Sequence, residues 1–275
     1  MDPIQALLLG IVEGVTEYLP VSSTGHLILA QRLMGLGEGE ANNAYAILVQ
    51  FGAILAVVGL FRHRVLSVLN GLVGRDSNGL RLGINLAVAF LPAAVVGILA
   101  GSFIKHALFS LWVVAAAWIV GGVVLVILSR RRVGVAADAG FSIDSLTAKH
   151  ALLIGLFQVI AMWPGVSRSL ATILGGLSVG LSLVAAVEFS FLLGVVTLTA
   201  ATAKEAVSSG QLVLSGLGEA SVAIGLVAAL VSAALAVRWM IGYLSRHSLE
   251  VFGWYRIALA LITVALLASG ILPAT

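Results

Sequence analysis

Glu13-Gly14-Val15-Thr16-Glu17-Tyr18-Leu19-Pro20-Val21-Ser22-Ser23-Thr24-Gly25-His26 decides the reading of this chain. Two carboxylates, a run of three hydroxyls and an imidazole stand inside a sequence otherwise made of apolar side chains. Polar groups at that depth in hydrocarbon are costly and mark function by default. A second polar knot, Trp163-Pro164-Gly165-Val166-Ser167-Arg168-Ser169, follows about 145 residues later. Together they suggest one composite site built from two copies of one element.

Working outward, the chain has 275 residues, 60% of them hydrophobic and only 10% charged. Soluble domains carry about 25% charged residues, so the composition is that of an integral membrane protein. There is no cysteine, which excludes disulfides and thiolate metal sites. Asp2 and the lack of an early basic cluster argue against a cleavable signal peptide. The net charge of +3 does not point to nucleic acid, because the basic residues sit between apolar runs.

A membrane-spanning helix needs about 20 mostly apolar residues. Six segments qualify: 43–61, 82–104, 109–129, 184–203, 219–240 and 252–272. The stretches 3–34 and 150–180 are apolar too, but each is interrupted at its middle by one of the polar knots. Each half is too short to cross, so both read as re-entrant helical hairpins. Broken backbone at membrane depth is tolerated where protein buries it or a wet cavity lines it.

Placing Gly10 over Gly155 aligns Glu13 with Gln158, Tyr18 with Trp163, Ser22 with Ser167 and Ile28 with Ile173. Downstream, Gln50-Phe51-Gly52 parallels Glu188-Phe189-Ser190. The expected fold class is an all-α integral membrane protein forming a single domain. It is an inverted repeat, each unit one re-entrant hairpin plus three spans. Repeat 1 covers residues 1–130, repeat 2 residues 148–275, and 131–147 form a cytoplasmic linker. Such repeats place their site near the bilayer midplane, at the repeat interface.

Basic residues set the orientation. Arg62, Arg64, Arg75, Arg81, Arg130, Arg131, Arg132, Lys149, Arg238 and Arg246 collect on one side, against Arg32, Lys105 and Lys204 on the other. The richer side faces the cytoplasm. Both termini then lie outside, and Gly35, Gly37, Glu38, Gly39 and Glu40 form an outer loop.

The spacing of Glu13 and Glu17, i and i+4, puts both carboxylates on one helix face. They repel unless a proton or cation lies between them. A hard divalent ion, Mg²⁺ or Ca²⁺, satisfies both with oxygen ligands. Ser22, Ser23 and Thr24 begin the hairpin's second helix, where free N–H groups favour an anion. A hydroxyl beside a base is a candidate nucleophile, and His26 is a candidate nucleophile or general acid. Ser167, Arg168 and Ser169 mirror that element, and the guanidinium is suited to a phosphate. Gln50 and Glu188, at matching repeat positions, are expected to support the hairpin tips. Arg256 has two readings, pairing with an acid or snorkelling to the interface.

Glu13 to His26 resembles the signature E-G-x-T-E-[FY]-L-P-V-S-S-T-G-H of the BacA/UppP undecaprenyl-diphosphate phosphatases. Pro164 to Ser169 resembles that family's P-G-x-S-R-S, and Leu91-Pro92-Ala93, Glu188-Phe189-Ser190-Phe191 and Tyr255-Arg256 match in order. The resemblance spans nearly the whole chain. It implies hydrolysis of a C55 polyprenyl diphosphate to the monophosphate and phosphate, recycling the bacterial cell-wall lipid carrier in the cytoplasmic membrane, with bacitracin resistance as a consequence. It also implies a divalent cation, with Glu13, Glu17, Ser23, His26 and Arg168 as core residues. Leu170 departs from the family pattern, which often has Gly there. It is expected to stiffen the second hairpin or narrow the pocket.

Two functions compete. A phosphatase needs hydroxyl, imidazole, paired acids and an anion site together; a polyprenyl-phosphate transporter or flippase needs only the anion site. Expected partners are the polyprenyl diphosphate lipid and the membrane, with no nucleic acid. A homodimer is left open, as is the choice between Ser23 and His26 as nucleophile.

Overall fold

The computed structural model describes residues 1–36, 39–108, 110–131 and 136–272, and leaves the side chains of 102, 103 and 105–108 undescribed. Gly37 and Glu38 of the outer loop, Arg132, the Lys105 side chain and linker residues 132–135 therefore lie outside the described residues.

The first polar knot breaks a helix as its sequence requires. Helix α1 (Pro3–Thr16) starts on an Asp2 cap, whose carboxylate accepts from the Ile4 and Gln5 amides. It is followed by α2 (Ser23–Leu33). The second knot separates α8 (Ala148–Ile160) from α9 (Arg168–Ser178). At 14, 11, 13 and 11 residues, none of the four arms has the length of a span. Between the hairpins run α3 (Glu40–Leu48), α4 (Gln50–Leu60), α5 (Arg62–Leu72), α6 (Ser77–Leu108) and α7 (Leu111–Arg131). After the second come α10 (Leu183–Leu217), α11 (Glu219–Leu244) and α12 (Glu250–Ala268).

Six helical segments are long and apolar enough to cross a membrane: Glu40–Leu60, Ser77–Gly101, Leu111–Arg131, Leu183–Leu217, Glu219–Leu244 and Glu250–Ala268. These are the six expected spans. Among the described residues there is no β-strand, only an isolated bridge between Phe141 and Leu181 that ties the linker to the α9–α10 turn. Most boundaries shift by a few residues, and one shifts by several turns. Helix α10 runs well past 203, because its buried face continues through Ser209, Val213 and Leu217 at i, i+4 spacing although the outer face turns polar at Lys204. Hydropathy ends there; the packing does not.

Helix packing is reciprocal. Helix α1 lies along α11 and α8 along α6; α4 also packs on α11, and α10 on α6; α7 and α12 pair with each other. Glycines allow the closest crossings. A Cβ on Gly10 would stand 2.3 Å from the Gly225 carbonyl oxygen, and one on Gly155 would stand 2.5 Å from that of Ala89. Each hairpin's first arm is thereby held against a span of the other half of the chain. Small residues permit such backbone contact in membrane helices.

Candidate active site

The two bends share an uncommon backbone geometry. Ser22 has φ 72° and Ser167 φ 77°; among the described residues these are the only non-glycine positions with positive φ. Such a conformation costs on the order of 1–3 kcal/mol and persists where the surroundings over-determine it. Local bonds hold both. The Ser22 carbonyl accepts from His26 Nδ1 at 2.7 Å. Ser167 Oγ caps α9 by accepting from the Leu170 amide at 3.3 Å and pairs with Ser169 Oγ at 2.9 Å. Ser169 Oγ donates to the Leu19 carbonyl at 2.8 Å, so the second hairpin is bonded to the first at its tip.

A cavity of about 90 Å³ lies between the bends. Glu17, Ser22, Ser23 and Thr24 line it from the first hairpin; Trp163, Pro164, Gly165, Ser167 and Arg168 line it from the second; Gln50 lines it from α4. Within it three functional groups meet. Ser23 Oγ donates a short hydrogen bond to Glu17 Oε2. Arg168 Nη2 donates to Glu17 Oε1 at 3.0 Å, with the arginine side chain 10% exposed. Arg168 is fixed from behind by Nη1 donating to the Ser190 carbonyl at 2.9 Å, and its guanidinium carbon stands 5.3 Å from the centre of the Tyr18 ring. Gly194 leaves it room: a Cβ there would lie 2.5 Å from Arg168 Nη1. Arg168 Nε is buried without a partner among the described residues.

Glu13 stands one turn before Glu17 on α1, fully buried, and neither carboxylate oxygen has a hydrogen-bond partner among the described residues. An isolated buried carboxylate is strongly disfavoured unless it is paired, protonated or metal-bound. No group of three or more His, Asp or Glu side chains converges as a metal site among the described residues. Two carboxylates, one with both oxygens open, still fit a hard cation that takes its remaining oxygens from a phosphate substrate and water.

The other expected residues separate. His26 does not line the cavity. Its Nε2 lies 2.8 Å from the Tyr255 hydroxyl, and its ring stacks on Tyr255 with centroids 5.7 Å apart, so both nitrogens are engaged. Ser169 is fully buried beneath the bend. Glu188 is not brought to the hairpin tips. It accepts from Arg64 Nε at 2.7 Å, because α10 begins beside the basic α5, and Arg64 in turn reaches Asp144 of the linker at 2.8 Å. Leu170 is buried in the core and does not line the cavity.

Arg256 follows neither reading. It is fully buried and makes no ion pair among the described residues; all its partners are backbone carbonyls. Tyr255, matched only as part of a motif, turns out to be the partner of His26. The available signal for both was a Tyr-Arg pair near the start of an otherwise apolar span.

Six apolar helices and a pair of hairpins that close on a serine, a carboxylate and an arginine define a polytopic membrane protein with an internal polar cavity. The chain belongs to the family described as bacitracin resistance protein BacA, whose model matches residues 6–262. It is 46% identical over 268 residues to undecaprenyl-diphosphatase 2 of Rhodospirillum rubrum, covering 98% of this chain and 96% of that one. It is also 46% identical over 263 residues to undecaprenyl-diphosphatase of Sorangium cellulosum, covering 94% and 84%. With that of Methylococcus capsulatus it shares 44% over 268 residues, covering 96% and 94%.

Proposed function

We propose that this protein hydrolyses undecaprenyl diphosphate to undecaprenyl phosphate and phosphate. The observation that carries the reading is the Ser23–Glu17–Arg168 cluster in the cavity between the bends, in a chain so similar to proteins named undecaprenyl-diphosphatase. A nucleophile within hydrogen-bond reach of a base, with an anion-binding group beside it, is the arrangement phosphoryl transfer needs.

Arg168 binds the terminal phosphoryl group, helped by the N-terminal ends of α2 and α9. Ser23 Oγ attacks that phosphorus and passes its proton to Glu17. The P–O–P anhydride bond breaks on the polyprenyl side, and the lipid leaves as the monophosphate. Water then hydrolyses the phosphoserine, Glu17 assisting, and releases phosphate. His26 orients the bend: it donates from Nδ1 to the Ser22 carbonyl and accepts at Nε2 from Tyr255. Glu13 and Glu17 would hold a divalent cation, which supplies charge neutralisation to the diphosphate when bound. A carrier needs no serine held against a carboxylate, so transport is the less favoured reading.

We read the two hairpin units as an inverted repeat. The reciprocal packing of α1 on α11 and α8 on α6 supports it, as do the matched glycines Gly10 and Gly155 and the matched serines Ser22 and Ser167. We read the protein as lying in the bacterial cytoplasmic membrane with both termini outside. The basic asymmetry supports this, as does the gathering of Arg64, Asp144 and Glu188 at one end of the bundle.

The test is phosphate release from undecaprenyl diphosphate by the purified protein in detergent, alongside movement of the labelled monophosphate across sealed vesicles. Release without movement supports the phosphatase. Movement without release overturns it.

A further inference from the structure

Arg256 of α12 donates all five of its N–H groups to carbonyls. Nε reaches Trp118 O at 3.4 Å and Nη2 reaches Ala117 O at 2.9 Å, both on α7. Nη1 reaches Pro20 O at 3.2 Å in the first bend. Nη1 and Nη2 also reach Val166 O and Gly165 O, at 3.2 and 2.9 Å, in the second. A guanidinium has five donors in a rigid planar fork, and here every one is used. A charge buried this deeply without a carboxylate is costly, so a purely structural filler would be better made of apolar atoms. The site is also built around it: a Cβ on Gly121 of α7 would stand 2.3 Å from Arg256 Nη2 and 2.9 Å from its Cζ.

We propose that Arg256 is a positioning residue for the reaction, a five-point clamp that fixes the two bends relative to each other and so sets Ser23 against Arg168. The inference rests on the phosphatase reading given above. It assigns Arg256 no contact with substrate. The bends lie about 145 positions apart in the chain, and among the described residues the bonds between Ser169 and Leu19 and between Arg168 and Glu17 are the other hydrogen bonds that join them. Those ties fix how close the bends come. The fork, anchored on α7, fixes their angle. Reactions that depend on alignment lose rate steeply when reacting groups shift by about 1 Å.

Two variants test this. Arg256→Lys keeps the charge but offers a point instead of a fork. Gly121→Ala keeps the guanidinium and displaces it. Hydrogen–deuterium exchange of the detergent-solubilised protein, followed by mass spectrometry, reads the bends directly. Both variants are expected to exchange at least tenfold faster in residues 18–24 and 163–169 together, with α1, α8 and α11 unchanged. Kinetically, kcat is expected to fall at least tenfold with KM within threefold, since the phosphate and lipid contacts are kept.

Unchanged exchange in both bends, loosening of one bend alone, or faster exchange throughout the molecule would each overturn the clamp. If Arg256→Lys does not fold, Gly121→Ala decides the matter by the same two readouts. If the wild-type protein hydrolyses nothing, the phosphatase reading falls, and the exchange measurement still decides whether Arg256 holds the bends.

Discussion

Arg168 Nη2 and Glu17 Oε1 lie 3.0 Å apart although 151 positions separate them in the chain. The pair joins the two hairpins across the cavity, and Ser23 bonds the other oxygen of the same carboxylate. Glu17 therefore serves both halves of the site: it accepts from the proposed nucleophile of one hairpin and from the arginine proposed to bind phosphate on the other.

Arg168→Lys is expected to lower kcat/KM at least about tenfold, or about 1.4 kcal/mol of transition-state binding. An ammonium cannot reach the Ser190 carbonyl, Glu17 and a phosphate in one plane. Steady-state kinetics on a polyprenyl diphosphate checks it. Wild-type values would place Arg168 outside the reaction.

Gly194→Ala should act through the same arginine without touching the cavity. The new methyl would stand 2.5 Å from Arg168 Nη1 and 2.6 Å from Cζ, so the side chain has to move. A several-fold loss of kcat/KM with normal yield and thermal stability is the expected result. Kinetics equal to wild type would show that Arg168 need not stay where it is.

Chelation should abolish phosphate release, and added Mg²⁺ or Ca²⁺ should restore it. Glu13→Gln removes one of the carboxylate pair and should raise the cation concentration for half-maximal rate at least about tenfold, since even groups behind a metal's ligands shift affinity 10- to 100-fold. Full activity in excess chelator would remove the cation from the account.

Much of the site is legible because intramembrane polar residues are scarce enough to stand out. Glu17, Ser22, Ser23, Thr24, Ser167 and Arg168 all line one cavity. Periodicity and Pro/Gly breaks were enough to place both hairpins. What sequence could not supply was direction. His26 sits one turn after Ser22, yet its ring turns to Tyr255, 229 positions away. Glu188 aligns with Gln50 in the sequence pattern, yet Arg64 of α5 takes it. Arg256 invites a search for an acid, and its partners are carbonyls that carry no sequence signature. Positions matched by a sequence pattern need not share a partner.

Asp76 gives a pH-dependent prediction outside the spans. Its carboxylate accepts from Ser67 Oγ at 2.6 Å and from the Gly79 and Asn78 amides at 3.0 Å each. These bonds, the one from Ser67 foremost, hold its pKa below the ordinary 3.8. A depressed carboxylate stabilises the fold above its unfolded pKa, and that contribution is lost as pH falls through the folded value. Asp76→Ala should therefore lower Tm at pH 7, and the difference should narrow below about pH 4. A gap independent of pH would show that the ionised form is not what matters.

Topology is checked with the cysteine-free chain itself. A cysteine replacing Asp138, exposed in the linker, should stay unlabelled by an impermeant thiol reagent in intact cells and react after permeabilisation. Labelling in intact cells would invert the orientation.

The central claim is that one reaction centre is made by both hairpins, and a double-mutant cycle on phosphate release from undecaprenyl diphosphate tests it most directly. Residues that act as a unit are strongly non-additive. Ser23→Ala and Arg168→Lys should each remove most of kcat, and the double variant should be no slower than the worse single one. Losses that multiply would place Ser23 and Arg168 in independent roles, and a wild-type protein that is folded but releases no phosphate would contradict the account outright.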